Sequence, residues 1–202
     1  LHDALPILRT DYIDLYQCHA FDPITSLEET ASALERLKEQ GKIRAYGVSN
    51  FTAEQLRLAR RYGDFTTIQP DYDLLNTHIE ADLLPYCQSE NVGVLVYSPL
   101  HRGLLTGKYT GEETFTDLRK SNPDFQGERF KDLAARVAGL RPLAEQHGCG
   151  IVQLVLAATL MHAAIHVAIV GIKNVEQIED AAGAMRVTLN REEYYTVDRK
   201  SV

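Results

Sequence analysis

Cysteine is scarce in this sequence. Cys18, Cys87 and Cys149 are odd in number and far apart, which excludes a disulfide framework and a paired-cysteine metal site; free thiols in a reducing compartment are expected. Long apolar runs are also missing. No uninterrupted stretch reaches bilayer-spanning length, and no basic segment leads into an apolar one at the start, so the cytoplasm is the default compartment. Positive charge is not in excess: a formal net charge of -7 gives no electrostatic reason to expect nucleic acid or an anionic membrane as partner. It leaves room for a local basic pocket.

Several signature motifs are absent too. His78, His101, His147, His162 and His166 form no metal-ligand spacing, so no metal is expected. The glycines fit neither a P-loop nor a Rossmann fingerprint. Gly47-Val48-Ser49-Asn50 is not the G-x-S-x-G elbow of a hydrolase.

What is present is alternation of strands and helices. Tyr12 to Gln17, Ala45 to Ser49, Thr67 to Gln69, Val92 to Tyr97 and Val167 to Val170 read as five strands. Ser26 with Glu29, Thr52 with Gln55 and Asn174 with Gln177 stand at capping-box spacing and predict three helix starts. Further helices are expected over Ile79 to Glu90, Lys131 to Gln146 and Ile151 to Met161, and the tail bearing Tyr194 and Tyr195 reads as a short helix folded back on the body. Ser98 to Gly127 is longer than an ordinary connection and reads as a lid or functional loop. Leu1 to Ile7, which contains Pro6, reads as a non-native or disordered end. The pattern specifies an α/β fold with parallel strands, compatible with a doubly wound sheet or with part of a barrel.

In both architectures ligands sit at the carboxyl ends of the strands. His19 follows the first strand, Ser49 and Asn50 end the second, Gln69 the third, and Tyr97 and Ser98 the fourth. An imidazole there can donate to a carbonyl oxygen, hydroxyl and amide groups can recognise a carboxamide, and a tyrosine can stack on a planar ring. Asp14 alternates to the face opposite His19 and is a poor partner for it. Ser98 to Lys108 combines glycines with Arg102 and Lys108, as a diphosphate-wrapping loop requires. Gly171-Ile172-Lys173-Asn174 leads into a helix start suited to a phosphate.

Taken in order, Thr10 to His19, Gly41 to Phe51, Tyr97 to Leu100, Gly103 to Tyr109 and Ile169 to Gly171 resemble the aldo-keto reductase family, especially its bacterial members, from about Leu8 to Val202. The resemblance implies a TIM barrel that carries NADP, less often NAD, and reduces a small aldehyde or ketone. It implies that His19 is the active-site histidine. Ser49, Asn50 and Gln69 would hold the nicotinamide carboxamide, with Tyr97 beneath the ring. Ser98, Pro99, Leu100, Arg102, Gly103 and Lys108 would cover the diphosphate, and Gly171, Lys173 and Gln177 would approach the adenosine phosphate. Gln177 and Ala181 stand where the family often has arginine and asparagine. Counted against the family, the strands would be the fourth through eighth of the barrel. The expectation is therefore a partial TIM barrel over residues 1–202, with five of eight strand-helix units and a long loop after the fourth strand. Such a fragment would lack the catalytic Asp, Tyr and Lys segments and be inactive alone, the alternative being a cofactor-binding regulatory or redox-sensing subunit.

Overall fold

The computed structural model describes residues 4–201, with side chains described for residues 4–198. Leu1 to Asp3, in the end read as irregular, lie outside the described residues. Ala4–Leu8 forms helix α1, with Pro6 in its first turn, where a missing N–H costs no helical bond. The chain divides into two units, one running to Pro70, with α1 in it, and including Ile79–Leu95, the other comprising Asp71–His78 and the chain from Val96 onward.

The first unit alternates β1 (Ile13–Cys18), α2 (Leu27–Glu39), β2 (Ile43–Ser49), α3 (Ala53–Ala59), β3 (Phe65–Gln69) and α4 (Leu83–Ser89), and β4 (Gly93–Tyr97) begins within it. Its strands pair in parallel in chain order, with Gln17 opposite Gly47, Gly47 opposite Thr67, and Thr67 opposite Gly93. Ala31, Leu34, Val48, Leu56, Ile68, Leu84 and Val94 are buried, so helix stripes and strand faces supply one apolar interior.

The caps lie where the sequence puts them. Ser26 Oγ accepts from Glu29 N at 3.1 Å. At α3, Thr52 Oγ1 accepts from Gln55 N at 3.2 Å while Gln55 Oε1 accepts from Thr52 N at 2.9 Å. Replacing Thr52 by alanine removes one arm of this box and is expected to cost about 1 kcal/mol. Urea denaturation checks this, and an unchanged midpoint would show that α3 does not need the cap.

The second unit contains α5 (Gly127–Ala138), α6 (Arg141–Gln146), α7 (Ile151–Met161), β5 (Val167–Ile169), α8 (Val175–Gly183) and α9 (Arg191–Ser201). Leu105, Val137, Leu140, Leu154, Val155, Ala158, Leu189 and Val197 form its main core, so the tail helix does pack back on the body. Asn174 caps α8 by accepting from Gln177 N at 2.9 Å.

Two expectations change. The helix expected over Ile79 to Glu90 is shortened to α4, because Pro85 fits only a first turn; farther along, its ring would meet the carbonyl four residues earlier. Pro142 does the same to the helix expected over Lys131 to Gln146, which is divided into α5 and α6. The long connection from Ser98 to Gly127 holds three short 3-10 turns, His101–Thr106, Leu118–Ser121 and Pro123–Phe125. The first and third are pinned by buried Leu104 and Phe125 packing with Phe130 and Leu133. Among the described residues no helix is long and apolar enough to cross a membrane.

Candidate active site

In the first unit the strand-end residues are joined by hydrogen bonds. β1 stops at Cys18, and exposed His19 follows it directly. Asn50 takes the left-handed conformation, φ 60°, one that asparagine tolerates better than most residues. Its Nδ2 donates to His19 O at 2.8 Å and to Ser49 Oγ at 3.1 Å. Ser49 Oγ donates to Gln69 O at 2.7 Å, and Asn50 N donates to the same carbonyl at 3.2 Å. His19, Ser49, Asn50 and Gln69 thus form one bonded cluster at three consecutive strand ends. Asp14 is engaged elsewhere, accepting from Arg44 NH1 at 2.8 Å, in keeping with its place on the other face.

The second unit contains a groove of about 690 Å³, within the range of about 300–1,000 Å³ usual for small-molecule clefts. Ser98, Pro99, Leu100, Arg102, Gly103 and Lys108 line one side. Gly171, Lys173 and Gln177 line another, with Asp180 and Ala181 beyond them. These two sequence segments, far apart in the chain, therefore face one space. Tyr97 is not among the lining residues. It is half-buried in a parallel bridge with Asp71, and burial first, then the Asp71 charge, push its phenol up.

The electrostatics of the groove are local. Arg102, Lys108, Arg119 and Lys173 supply cations against the carboxylates of Asp117 and Asp180, in a chain whose net charge is -7. Asp117 is held at about 2 by the Arg119 side chain and backbone amide, with the Lys173 charge adding to them. Gln177 has a local duty, since its Oε1 accepts from Lys173 N at 2.9 Å. That bond fixes the turn carrying the lysine.

Sequence reasoning missed Asp117 and Arg119, which lie in the long connection where no motif marks them. Their signal was a short-range acid-base pair, Arg119 Nε donating to Asp117 Oδ1 at 2.9 Å. It also missed the contacts of His101 with Asp73 and Asp124, because those partners are 28 and 23 residues away.

The model of the aldo/keto reductase family matches residues 1–202. The chain belongs to the aldo/keto reductase family. It is 40% identical over 96% of its length to aldo-keto reductase YhdN of Bacillus subtilis, covering 59% of that protein. It is 34% identical over 93% of its length to the NADH-specific methylglyoxal reductase of Escherichia coli, covering 58% of it. Among solved structures, the glycerol dehydrogenase AKR11B4 from Gluconobacter oxydans superimposes with a TM-score of 0.90 at 37% identity, over 98% of this chain and 61% of that one. The chain thus spans about three fifths of the length of the relatives it matches.

These findings correct the reading of a partial barrel. The family match takes in the whole sequence from residue 1, not from about Leu8, and the likeness to the glycerol dehydrogenase covers 98% of the chain. The expectations of an inactive fragment, of absent catalytic Asp, Tyr and Lys segments, and of a regulatory subunit go with it. They rested on numbering the five strands against the family's barrel, a step that the match over residues 1–202 does not support.

Proposed function

We propose that this aldo/keto reductase is an oxidoreductase that interconverts a small aldehyde or ketone and the corresponding alcohol using NADP(H). The observation that carries the reading is the cationic groove in the second unit, where the Ser98 to Lys108 loop and the Gly171 to Gln177 turn meet. Its donor set fits an anionic dinucleotide: Arg102 and Lys108 suit the diphosphate, and Lys173 with Arg119 suits a further phosphate on the adenosine. In the first unit, Ser49, Asn50 and Gln69 offer the hydroxyl and amide chemistry that a carboxamide requires; Tyr97, in the second unit, offers a ring face. When bound, the nicotinamide supplies the hydride.

His19, exposed beyond its strand, is the group that donates to the substrate carbonyl oxygen and polarises it. The relatives named above as a methylglyoxal reductase and a glycerol dehydrogenase frame the substrate class as small carbonyls and alcohols. Free thiols at Cys18, Cys87 and Cys149 suit the reducing cytoplasm in which we place the protein.

NADPH and NADH fluorescence titrations test the reading; failure to bind either sinks it. The preference for NADP makes a sharper demand. Lys173→Ala is expected to weaken NADPH binding about tenfold while leaving NADH nearly unchanged, since only NADPH has the extra phosphate. Equal losses for both would move Lys173 away from that phosphate.

A further inference from the structure

Within the second unit, a histidine that does not line the groove is held between two carboxylates. His101 Nδ1 lies 2.8 Å from Asp73 Oδ2, and its Nε2 lies 3.0 Å from Asp124 Oδ2. The side chain is 12% exposed, and those of Asp73 and Asp124 are 3% and 19% exposed. Each carboxylate is itself anchored. Asp73 Oδ1 accepts from Leu75 N at 2.7 Å, and the other oxygen of Asp124 accepts from Arg129 Nε. Phe125 stacks on the imidazole, centroids 6.0 Å apart and planes at 14°.

A neutral imidazole has one N–H and one lone pair, whereas the imidazolium has two N–H donors. With a carboxylate at each nitrogen, only the charged ring satisfies both contacts. The neutral ring would turn a lone pair toward one of them.

The backbone around His101 needs such an anchor. Ser98, His101 and Arg102 have φ of 60°, 45° and 52°, in the left-handed region that residues with a Cβ seldom adopt and that surrounding structure must enforce. The turn's own bonds are local: His101 N donates to Ser98 O at 2.9 Å and Gly103 N to Leu100 O at 2.8 Å. Leu100 and Arg102, on either side of His101, both line the groove.

We propose that His101 is a positioning residue: as an imidazolium bridging Asp73 and Asp124 it holds the Ser98 to Lys108 turn in its ligand-ready shape, and loss of its proton releases the turn. The link to ligand binding rests on the cofactor reading above. Asp71 and, beside it, His78 share this electrostatic neighbourhood, Arg129 offsets part of the Asp124 charge, and Arg102 adjoins His101 in the chain. Burial, the largest influence on His101, pulls its pKa down. The bonds and charges of Asp73 and Asp124 together outweigh it, and the net direction is up. A raised value means that the clamp is fully formed below the ordinary imidazole range and is lost as pH rises through the raised one.

Two readouts test the clamp. In the ligand-free protein at about pH 6.5, the ordinary imidazole value, the ring nitrogens of His101 are expected to show NMR shifts mainly of the doubly protonated cation; shifts mainly of a neutral tautomer overturn the proposal. In a fluorescence titration, NADPH affinity is expected to fall about tenfold between about pH 6.5 and about pH 9.5. His101→Gln is expected to bind weakly with a flat profile, and Asp124→Asn, which keeps the Asp73 contact, to move the fall to lower pH. A His101→Gln profile parallel to the native one overturns the clamp, as does an Asp124→Asn profile superimposed on it. If NADPH binds at no pH, the cofactor reading fails separately, and amide exchange decides the clamp. Protection of Leu100 to Gly103 that falls with the His101 titration supports it, and protection indifferent to that titration overturns it.

Discussion

His19→Ala is expected to lower carbonyl turnover by about a hundredfold while leaving NADPH affinity nearly unchanged, because a positioned donor to the reacting oxygen contributes about 10²–10⁴ in rate. The structure makes this variant readable. His19 is exposed just past the end of β1, and its tie to the rest of the cluster is the backbone carbonyl that accepts from Asn50 Nδ2 at 2.8 Å. Truncating the side chain leaves that bond in place, so stability should change by no more than about 0.5 kcal/mol. Steady-state kinetics on a small aldehyde, with NADPH binding measured in parallel, separates the outcomes. Unchanged turnover removes His19 from the chemistry, and an equal loss of cofactor affinity makes it a cofactor contact.

The strand ends were legible because their signals are local. A capping Thr52 three residues before Gln55, or an apolar run closing on Ser49-Asn50, needs no knowledge of the rest of the chain. The groove was legible as two motifs, Ser98 to Lys108 and Gly171 to Gln177, though nothing in either says that they face one space. Its third wall, Asp117 and Arg119, was not legible, since short 3-10 turns have no period to read. The His101 contacts were invisible for a related reason: burial between Asp73 and Asp124 is a property of the packed loop, and the residue type alone suggests only an isolated histidine. Helix lengths were overestimated where apolar spacing ran through Pro85 and Pro142, because ring sterics outweigh a continuous stripe.

Gly47→Ala is expected to destabilise the protein by about 3 kcal/mol or more, near the upper end of what inserting one methyl group into a packed site costs. Gly47 lies in the middle of β2, paired with Gln17 on one side and Thr67 on the other. A Cβ added there would stand 2.5 Å from the Thr67 carbonyl oxygen and closer still to Thr67 Oγ1. The hydroxyl can rotate away at the expense of its 3.2 Å bond to Gln17 Oε1. The carbonyl belongs to the strand and moves only if β3 moves. Gly93→Ala is the control, since its Cβ would come no closer than 3.1 Å, to the Thr67 methyl group, and should cost less than about 1 kcal/mol. Urea denaturation checks both, with a shifted midpoint and unchanged slope expected for Gly47→Ala. The displacement should also reach the site, because two residues beyond the Gly47–Thr67 pair Ser49 faces Gln69 and donates to its carbonyl at 2.7 Å. NADPH binding should therefore weaken in Gly47→Ala and stay intact in Gly93→Ala. Equal and small losses in the two variants would mean that the β2–β3 ladder yields freely at Thr67, and that the Ser49, Asn50 and Gln69 cluster does not depend on the close approach of these strands.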